Sequence, residues 1–264
     1  MVQIINVNAY SVASLPLIPR AHGNSLASAT GFVVRHNQEA YLVTNWHVVA
    51  GRDPRTGQSK DKTGAVPDTL TATFTRKLAP AQLEWIDVDL KLSDDEGVPI
   101  WLEHPRHGRR VDVVALKLEP DSARQLLPYK LTADTQTKLE VARRLNIIGF
   151  PFGMASSGAC AIWLQGYVAS DPEIDYDDLP CFLIDARTRQ GQSGSPVISY
   201  YHGGETVPLI DGDWQEGPEP VAELQGVYSG RINEESDIGI VWKREVIQEI
   251  IESRVRGNND FMGG

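Results

Sequence analysis

The segment most typical of a catalytic site is 191–196, which reads GQSGSP. A serine becomes a nucleophile when its hydroxyl is exposed, a base can take its proton, and donors face the developing oxyanion. Gly191 and Gly194 permit a tight turn around Ser193, in which the amides of Gly191 and Ser193 can point into one small space. Taken alone, the segment also fits a hairpin turn without chemistry.

Two further segments supply a candidate base and a candidate acid. His47 lies in TNWHVV (44–49) after an apolar strand, where a histidine can act as a general base near neutral pH. Asp112 lies in VDVVALKL (111–118), and a carboxylate in an apolar strand needs a partner such as an imidazole N–H. Taken singly, His47 also fits a structural histidine, and Asp112 a surface-facing residue at a strand start.

Together the three segments resemble the chymotrypsin/trypsin-like serine proteases, and among these most closely the bacterial glutamyl endopeptidases and heat-shock proteases. The order His, Asp, Ser matches that family, and the resemblance extends over roughly residues 25–255. It implies a serine endopeptidase with His47, Asp112 and Ser193 as catalytic triad, and with the amides of Gly191 and Ser193 as oxyanion hole. It implies no cofactor and no metal ion.

Two departures from the family pattern affect what the resemblance implies. Digestive members carry an aspartate just before the nucleophile, which pairs with a new N-terminus after zymogen cleavage. Gln192 stands there in this chain, and a neutral amide cannot form that ion pair. We therefore expect activity without N-terminal processing.

The second departure concerns the pocket for the residue that precedes the scissile bond. The resemblance places Arg187 at the base of this pocket, which argues against a preference for Lys or Arg and favours Glu or Asp through charge-assisted hydrogen bonds. The alternative is that Arg187 turns to solvent or pairs with Asp185. The residues assigned to the pocket are Arg187, Thr188, Ser229, Arg231 and Gly239.

Other hydrolase classes fit the residue order poorly. An α/β-hydrolase elbow requires Gly-x-Ser-x-Gly and a serine that comes first in the triad, but position 195 is Ser and the only later histidine is His202. A subtilisin-like order needs an acid before the base, and no aspartate precedes His47. The alternative from a different class is a catalytically silent trypsin-like module that binds peptides or partner proteins.

Metal binding has weak support in the sequence. His104 and His107 are separated by Pro105 and a neighbouring arginine, which favours a loop. Residues 211–213 (DGD) resemble part of a calcium loop without its other ligands.

Composition narrows the possible partners and compartments. The formal net charge of −10 argues against nucleic acid, so we expect a protein or peptide substrate. The sequence has no apolar run long enough for a membrane span and an N-terminus unlike a signal peptide. With only two cysteines, Cys160 and Cys181, whose pairing is left open, these features favour a cytoplasmic protein, although a mature secreted form is also compatible. The oligomeric state is not predicted.

Short strands separated by turns predict an all-β fold. The resemblance implies two packed six-stranded antiparallel β-barrels, with residues 1–120 carrying His47 and Asp112 and residues 121–264 carrying Ser193. Helical spacing of apolar residues from Glu245, with Gly257 as the stop, predicts a C-terminal helix packed on the body. The polar stretch 119–138 is the expected linker, and the stretches 52–68 and 203–220 are expected surface loops that gate or select substrate.

Overall fold

The first half of the chain forms one curled antiparallel sheet. A computed structural model gives the structure of residues 2–3, 7–79, 82–132, 136–233 and 235–258. The sheet runs in the order β1-β7-β6-β2-β4-β5-β8, with β3 paired to β2. Its strands are β1 Val2–Gln3, β2 Ser14–Ala21, β3 Asn24–Ser25, β4 Ala29–His36, β5 Glu39–Thr44, β6 Thr69–Ala79, β7 Gln82–Lys91 and β8 Val114–Leu118.

The second half closes into a six-stranded antiparallel barrel. Its strands are β9 Arg144–Gly149, β10 Ile162–Val168, β11 Cys181–Asp185, β12 Pro196–Tyr201, β15 Val221–Arg231 and β16 Ile238–Lys243. They follow one another around the barrel in the order β10-β11-β16-β15-β12-β9. Between β12 and β15, a small hairpin is formed by β13 Val207–Pro208 and β14 Trp214–Gln215.

The described structure also has three short α-helices, α1 Ala9–Ala13, α2 Trp46–Ala50 and α3 Glu245–Ser253. Two 3-10 helices are formed by Gly108–Arg110 and Pro151–Gly153. The apolar side of α3 is buried, as its 3.6-residue spacing predicts. The helix ends at Ser253 and is followed by Arg254, which adopts a left-handed conformation with φ 54°; the predicted stop was Gly257. Of the helices in the described ranges, none combines the length and apolar character that crossing a bilayer requires.

The buried core has three parts that follow this division. One apolar cluster lies inside the first sheet around Leu17, Leu42 and Phe74, and another lies inside the barrel around Ile147 and Phe182. The third and largest cluster contains Phe32 from the first sheet, Ile148 and Trp242 from the barrel, and Ile250 from α3. Since this cluster draws on both sheets and the helix, burial of its apolar surface holds the two halves together.

The predicted fold class is confirmed: the chain is mostly β, it contains a closed six-stranded barrel, and it ends in a packed helix. In the first half, the strands form a curled sheet of eight members in place of a closed barrel of six. The domain boundary at residue 120 stays a prediction. In the expected linker, Tyr129 and Leu131 are buried in the third cluster, whereas residues 133–135 lie outside the described ranges.

We expect Ile250→Ala to lower the free energy of unfolding by about 2–5 kcal/mol, because it empties a fully buried site in the cluster shared by both halves. Urea unfolding followed by tryptophan fluorescence measures the change. The matched control is Gln248→Ala on the exposed side of α3, which should change stability by less than about 0.5 kcal/mol. Equal effects of the two substitutions would contradict the packing of α3 described above.

Candidate active site

The loop before β12 holds Ser193 in a tight, hydrogen-bonded turn. The Gln192 amide donates to Arg189 O (3.3 Å) and the Ser195 amide donates to Gln192 O (3.0 Å). Between these two residues, the amide of Gly194 donates to Tyr228 O on β15 (2.8 Å). These bonds fix the loop to the barrel and leave Ser193 half-buried, with its hydroxyl accessible from the space between the two halves.

Thr30 on β4 attaches this loop to the first sheet. The Thr30 amide donates to Ser193 O (2.9 Å), and its hydroxyl donates to Gly191 O (2.8 Å). Gly194 faces the same strand with φ 84°, and a Cβ there would collide with Thr30 O and Thr44 Oγ1. The approach of the loop to β4 therefore requires glycine at position 194.

His47 and Asp112 contact each other directly. His47 lies in α2, which follows the N-cap residue Asn45. Asp112 lies in the loop just before β8 instead of in the strand predicted for it. His47 Nδ1 donates to Asp112 Oδ2 at 2.7 Å, and the His47 amide donates to Asp112 Oδ1 at 2.9 Å. Because a carboxylate accepts only, this bond places the ring proton on Nδ1 and leaves Nε2 free to accept a proton.

Asp112 is almost fully buried, with 2% of its side chain exposed. Burying an unpaired carboxylate is costly, and the two bonds from His47 offset part of that cost. Ser229 Oγ on β15 donates a further short hydrogen bond to Asp112 Oδ2. The side chain of Asn45 donates to the main-chain oxygen of Asp112 at 2.6 Å, which fixes the backbone that carries the carboxylate.

The Ser193 hydroxyl donates to Ser229 O at 3.1 Å. Ser193 and His47 line the same cavity between the two halves. Within the described part of the chain, the amides of Gly191 and Ser193 donate no hydrogen bond to another residue. Two free N–H groups beside a serine hydroxyl are the donors that an oxyanion hole requires.

A cavity of about 350 Å³ lies on one side of Ser193, and its wall is mainly apolar with Leu26, Val48 and Pro67. A second cavity, of about 170 Å³, lies on the side of Asp112 and Ser229. Residues of the predicted loop 52–68 line both cavities. The other predicted loop, 203–220, contributes to neither; instead, Leu209 within it pairs with Thr137.

The five residues assigned to the substrate pocket are in different environments. Arg187 is exposed, and among the described residues no carboxylate, including Asp185, lies within ion-pair distance of it. Arg231 is also exposed, Ser229 is half-buried, and Thr188 and Gly239 are buried. The assignment of these residues to substrate recognition stays a prediction.

Tyr228 occupies the space between Thr188 and Gly239. Its hydroxyl shares a short hydrogen bond with Thr188 Oγ1, and a Cβ on Gly239 would lie 2.6 Å from its ring. Burial raises the pKa of Tyr228 above its usual value, so the hydroxyl stays neutral. The wall of the predicted pocket is therefore polar and uncharged at this point.

Sequence reasoning missed the contributions of Thr30, Asn45 and the Ser229 hydroxyl. Asn45 stands two residues before His47, so its position was a usable signal. Thr30 and Ser229 act across 163 and 117 residues of chain, and their residue types do not distinguish them from other strand residues. Their contacts become visible only in the structure, where β4 lies against the nucleophile loop and β15 lies against the loop that carries Asp112.

The candidate metal ligands have other partners. His104 is buried, its Nε2 bonds to Glu249 Oε2 at 2.9 Å, and its Nδ1 accepts from the amides of Arg106 and His107. Across the described ranges, no group of three or more His, Cys, Asp or Glu side chains is arranged to hold a metal ion. Cys160 and Cys181 are free, buried thiols, and burial raises the pKa of Cys181 to about 12.

Comparison with known proteins gives one family and several structural neighbours. The model of the trypsin-like peptidase domain matches residues 29–207, more than half of the chain. No match was found among the curated proteins.

Three similar solved structures are proteases. One is a thermostable serine protease, AL20, from an extremophilic microorganism, with 10% identity, a TM-score of 0.52, and coverage of 94% of this chain and 99% of that one. The second is the serine endoprotease from Yersinia pestis, with 13% identity, a TM-score of 0.49, and coverage of 96% and 68%. The third is the active form of the Rv3671c protease from M. tuberculosis, with 16% identity, a TM-score of 0.47, and coverage of 92% and 81%. At this level of identity the likeness concerns the fold.

We expect Gly194→Ala to lower the free energy of unfolding by about 2–4 kcal/mol, because the new Cβ collides with Thr30 O and the backbone is left-handed. Thermal unfolding by circular dichroism measures the loss. Gly217→Ala is the control, since a Cβ there meets nothing within 4 Å. A wild-type melting temperature for Gly194→Ala would mean that the loop does not approach β4 as described.

Proposed function

Because the chain belongs to the trypsin-like peptidase family, we propose that it is a serine endopeptidase that cleaves peptide bonds through an acyl-enzyme. The observation that carries this proposal is the 2.7 Å hydrogen bond from His47 Nδ1 to Asp112 Oδ2, at the edge of a cavity that Ser193 also lines. It supports Ser193 as nucleophile, His47 as general base and then acid, and Asp112 as the group that orients His47.

In the proposed first step, His47 Nε2 takes the proton of Ser193 Oγ while that oxygen attacks the carbonyl carbon of the scissile bond. The free amides of Gly191 and Ser193 stabilise the oxyanion. Protonated His47 then gives its proton to the leaving amine, so the C–N bond breaks and an ester on Ser193 remains. In the second step His47 takes a proton from water while the water oxygen attacks the ester carbon. His47 then returns the proton to Ser193 Oγ as the ester bond breaks, which releases the acid product and free Ser193.

The resting contact of the Ser193 hydroxyl bears on how this step begins. The hydroxyl donates to Ser229 O at 3.1 Å, so its proton must turn from this acceptor before the hydroxyl can donate to His47. Such a rearrangement is ordinary, since catalytic hydrogen bonds in free enzymes often tighten only when substrate is bound. Once the hydroxyl turns, Ser229 O becomes available to accept an N–H from the substrate backbone.

Proteins or peptides are the substrates that this proposal implies. The acyl-enzyme mechanism itself needs only side chains and backbone amides of this chain. The cytoplasmic compartment and the preference of Arg187 for acidic residues remain predictions.

A fluorophosphonate probe tests the proposal directly. We expect the wild-type protein to take up one probe per chain at pH 7–8, and Ser193→Ala to take up none. The control is Ser195→Ala, which removes a buried hydroxyl two residues further on and should retain labelling. If folded wild type does not label, the protein is instead a binding module with a trypsin-like fold.

We also expect activity without cleavage near the N-terminus. Gln192 is fully buried and uncharged, and the described hydrogen bonds of the nucleophile loop to other segments run to Thr30, Phe152, Tyr228 and Ser229. Adding an N-terminal tag, or acetylating the N-terminus, should therefore change the rate of fluorophosphonate labelling by less than about twofold, a difference worth under 0.5 kcal/mol. Labelling that begins only after proteolytic trimming would show that this prediction is wrong.

A further inference from the structure

The cavity beside Asp112 and Ser229 has a basic rim in an otherwise acidic protein. Arg55, Arg110 and Arg231 are exposed and line this cavity, together with Lys60. We call the three arginines the basic flank. The whole chain carries a formal net charge of −10, so three neighbouring guanidinium groups at the candidate active site stand out from the rest of the surface.

The guanidinium groups of the basic flank have no partner within the described residues. Neither a carboxylate within 4.0 Å nor a side-chain hydrogen bond is formed by any of the three. Some arginines elsewhere are paired, as Arg76 is with Glu84, Arg244 with Glu223 and Arg256 with Asp94. Others, such as the exposed Arg187 and Arg35, form no ion pair with a described residue, so it is the position of the flank at the candidate active site that distinguishes it. Unpaired guanidinium groups are available to a ligand that brings its own carboxylates.

None of the carboxylates that also line the cavity forms an ion pair with the flank. Asp112 is buried and bonded to His47 and Ser229. Asp53 accepts from the Arg55 and Thr56 amides and the Thr56 hydroxyl, which commits one of its oxygens to its own turn. Asp177 is exposed and is the one remaining acid among the cavity residues.

The backbone beside the flank can pair with an extended peptide. The Ile232 amide donates to Ile238 O at 3.0 Å, so Arg231 and Gly239 form the non-hydrogen-bonded pair next to it. The N–H and C=O of Arg231 therefore point away from β16. Residues 229–231 are thus an open edge to which a substrate can add as an antiparallel strand.

The direction of such a strand decides which substrate residues meet the basic flank. An antiparallel strand runs from Arg231 towards Ser229, and its scissile carbonyl is at the free amides of Gly191 and Ser193. The substrate residues that lie beside Arg231 therefore precede the scissile bond. At about 3.4 Å per residue, positions two to four before that bond lie roughly 7–14 Å from it.

We propose that the basic flank, Arg55, Arg110 and Arg231, selects peptides with acidic side chains two to four residues before the scissile bond. The proposal rests on the proposed function for its geometry, but the flank's charge preference can be measured without catalysis. The mainly apolar cavity on the other side of Ser193 receives the residues after the bond.

The binding test uses two fluorescein-labelled decapeptide pools, in which three consecutive positions near the N-terminus are all Glu or all Lys and the rest vary. Ser193→Ala is used, so that binding is measured by fluorescence anisotropy without cleavage. We expect the Glu pool to bind at least about fivefold more tightly, because each close charge pair contributes up to about fivefold. The difference should shrink as salt is raised, since screening shortens the range of exposed charges.

Charge reversal identifies the residues responsible. In the Ser193→Ala background, Arg55→Glu with Arg110→Glu should abolish or invert the preference, and Arg55→Gln with Arg110→Gln should reduce it. The matched control is Arg35→Glu, an exposed arginine on β4 outside both cavities, which should keep the preference. Unchanged melting temperatures establish that the variants fold.

Cleavage of the same pools by the wild-type protein shows where the acidic residues lie relative to the scissile bond. Mass spectrometry should find the Glu residues two to four places before the cut. Equal or undetectable binding of the two pools, or acidic residues found only after the cut, overturns the proposal and leaves the protease function intact. A third outcome is that wild type does not label with the fluorophosphonate, yet still shows a charge preference that charge reversal removes. This result would reject the protease function and keep the basic flank as the peptide-binding element of a catalytically silent module.

Discussion

The contact between Thr30 and the nucleophile loop is the constraint on which the rest of the site depends. Thr30 belongs to the first sheet, yet its amide and hydroxyl bond to Ser193 O and Gly191 O of the second half. Its hydroxyl oxygen also accepts from the Phe150 amide at 3.1 Å. One residue thereby sets the position of the loop relative to β4, and β4 pairs with β5, whose end leads into α2 and His47. Strand pairing and the Thr30 contacts therefore connect Ser193 to His47, which line one cavity.

Burial of Asp112 makes the second link between the two halves. Its carboxylate receives donors from His47 in the first half and from Ser229 in the second. Since a buried carboxylate without donors costs several kcal/mol, separating the halves would leave this charge partly unsatisfied. The same bonds that orient His47 thus oppose movement of β15 away from α2, so the electrostatics of the site and the packing of the two halves support each other.

The sequence predicted what depends on local pattern. The all-β fold class follows from the short strand-like segments, and the packed helix α3 follows from the helical spacing of its apolar residues. The spacing of Ile86, Val88 and Leu90, which alternate with polar residues, is likewise that of a strand, and the structure has β7 there. The roles of Thr30 and Ser229 could not be predicted from the sequence, because their hydrogen bonds join segments more than 100 residues apart. The ends of short elements also escaped prediction, since Arg254 adopts a left-handed conformation that a glycine was expected to supply.

The net charge of the chain and the basic flank act over different distances. A net charge of −10 opposes the approach of acidic peptides over long range, and this repulsion is largely screened beyond about 8 Å at physiological ionic strength. The guanidinium groups of the flank act within that distance, after the peptide has reached the cleft. Their contribution therefore falls on how long a peptide stays, and less on how fast it arrives. A flank built from exposed arginines can therefore discriminate between bound peptides even though the net charge of the chain opposes their approach.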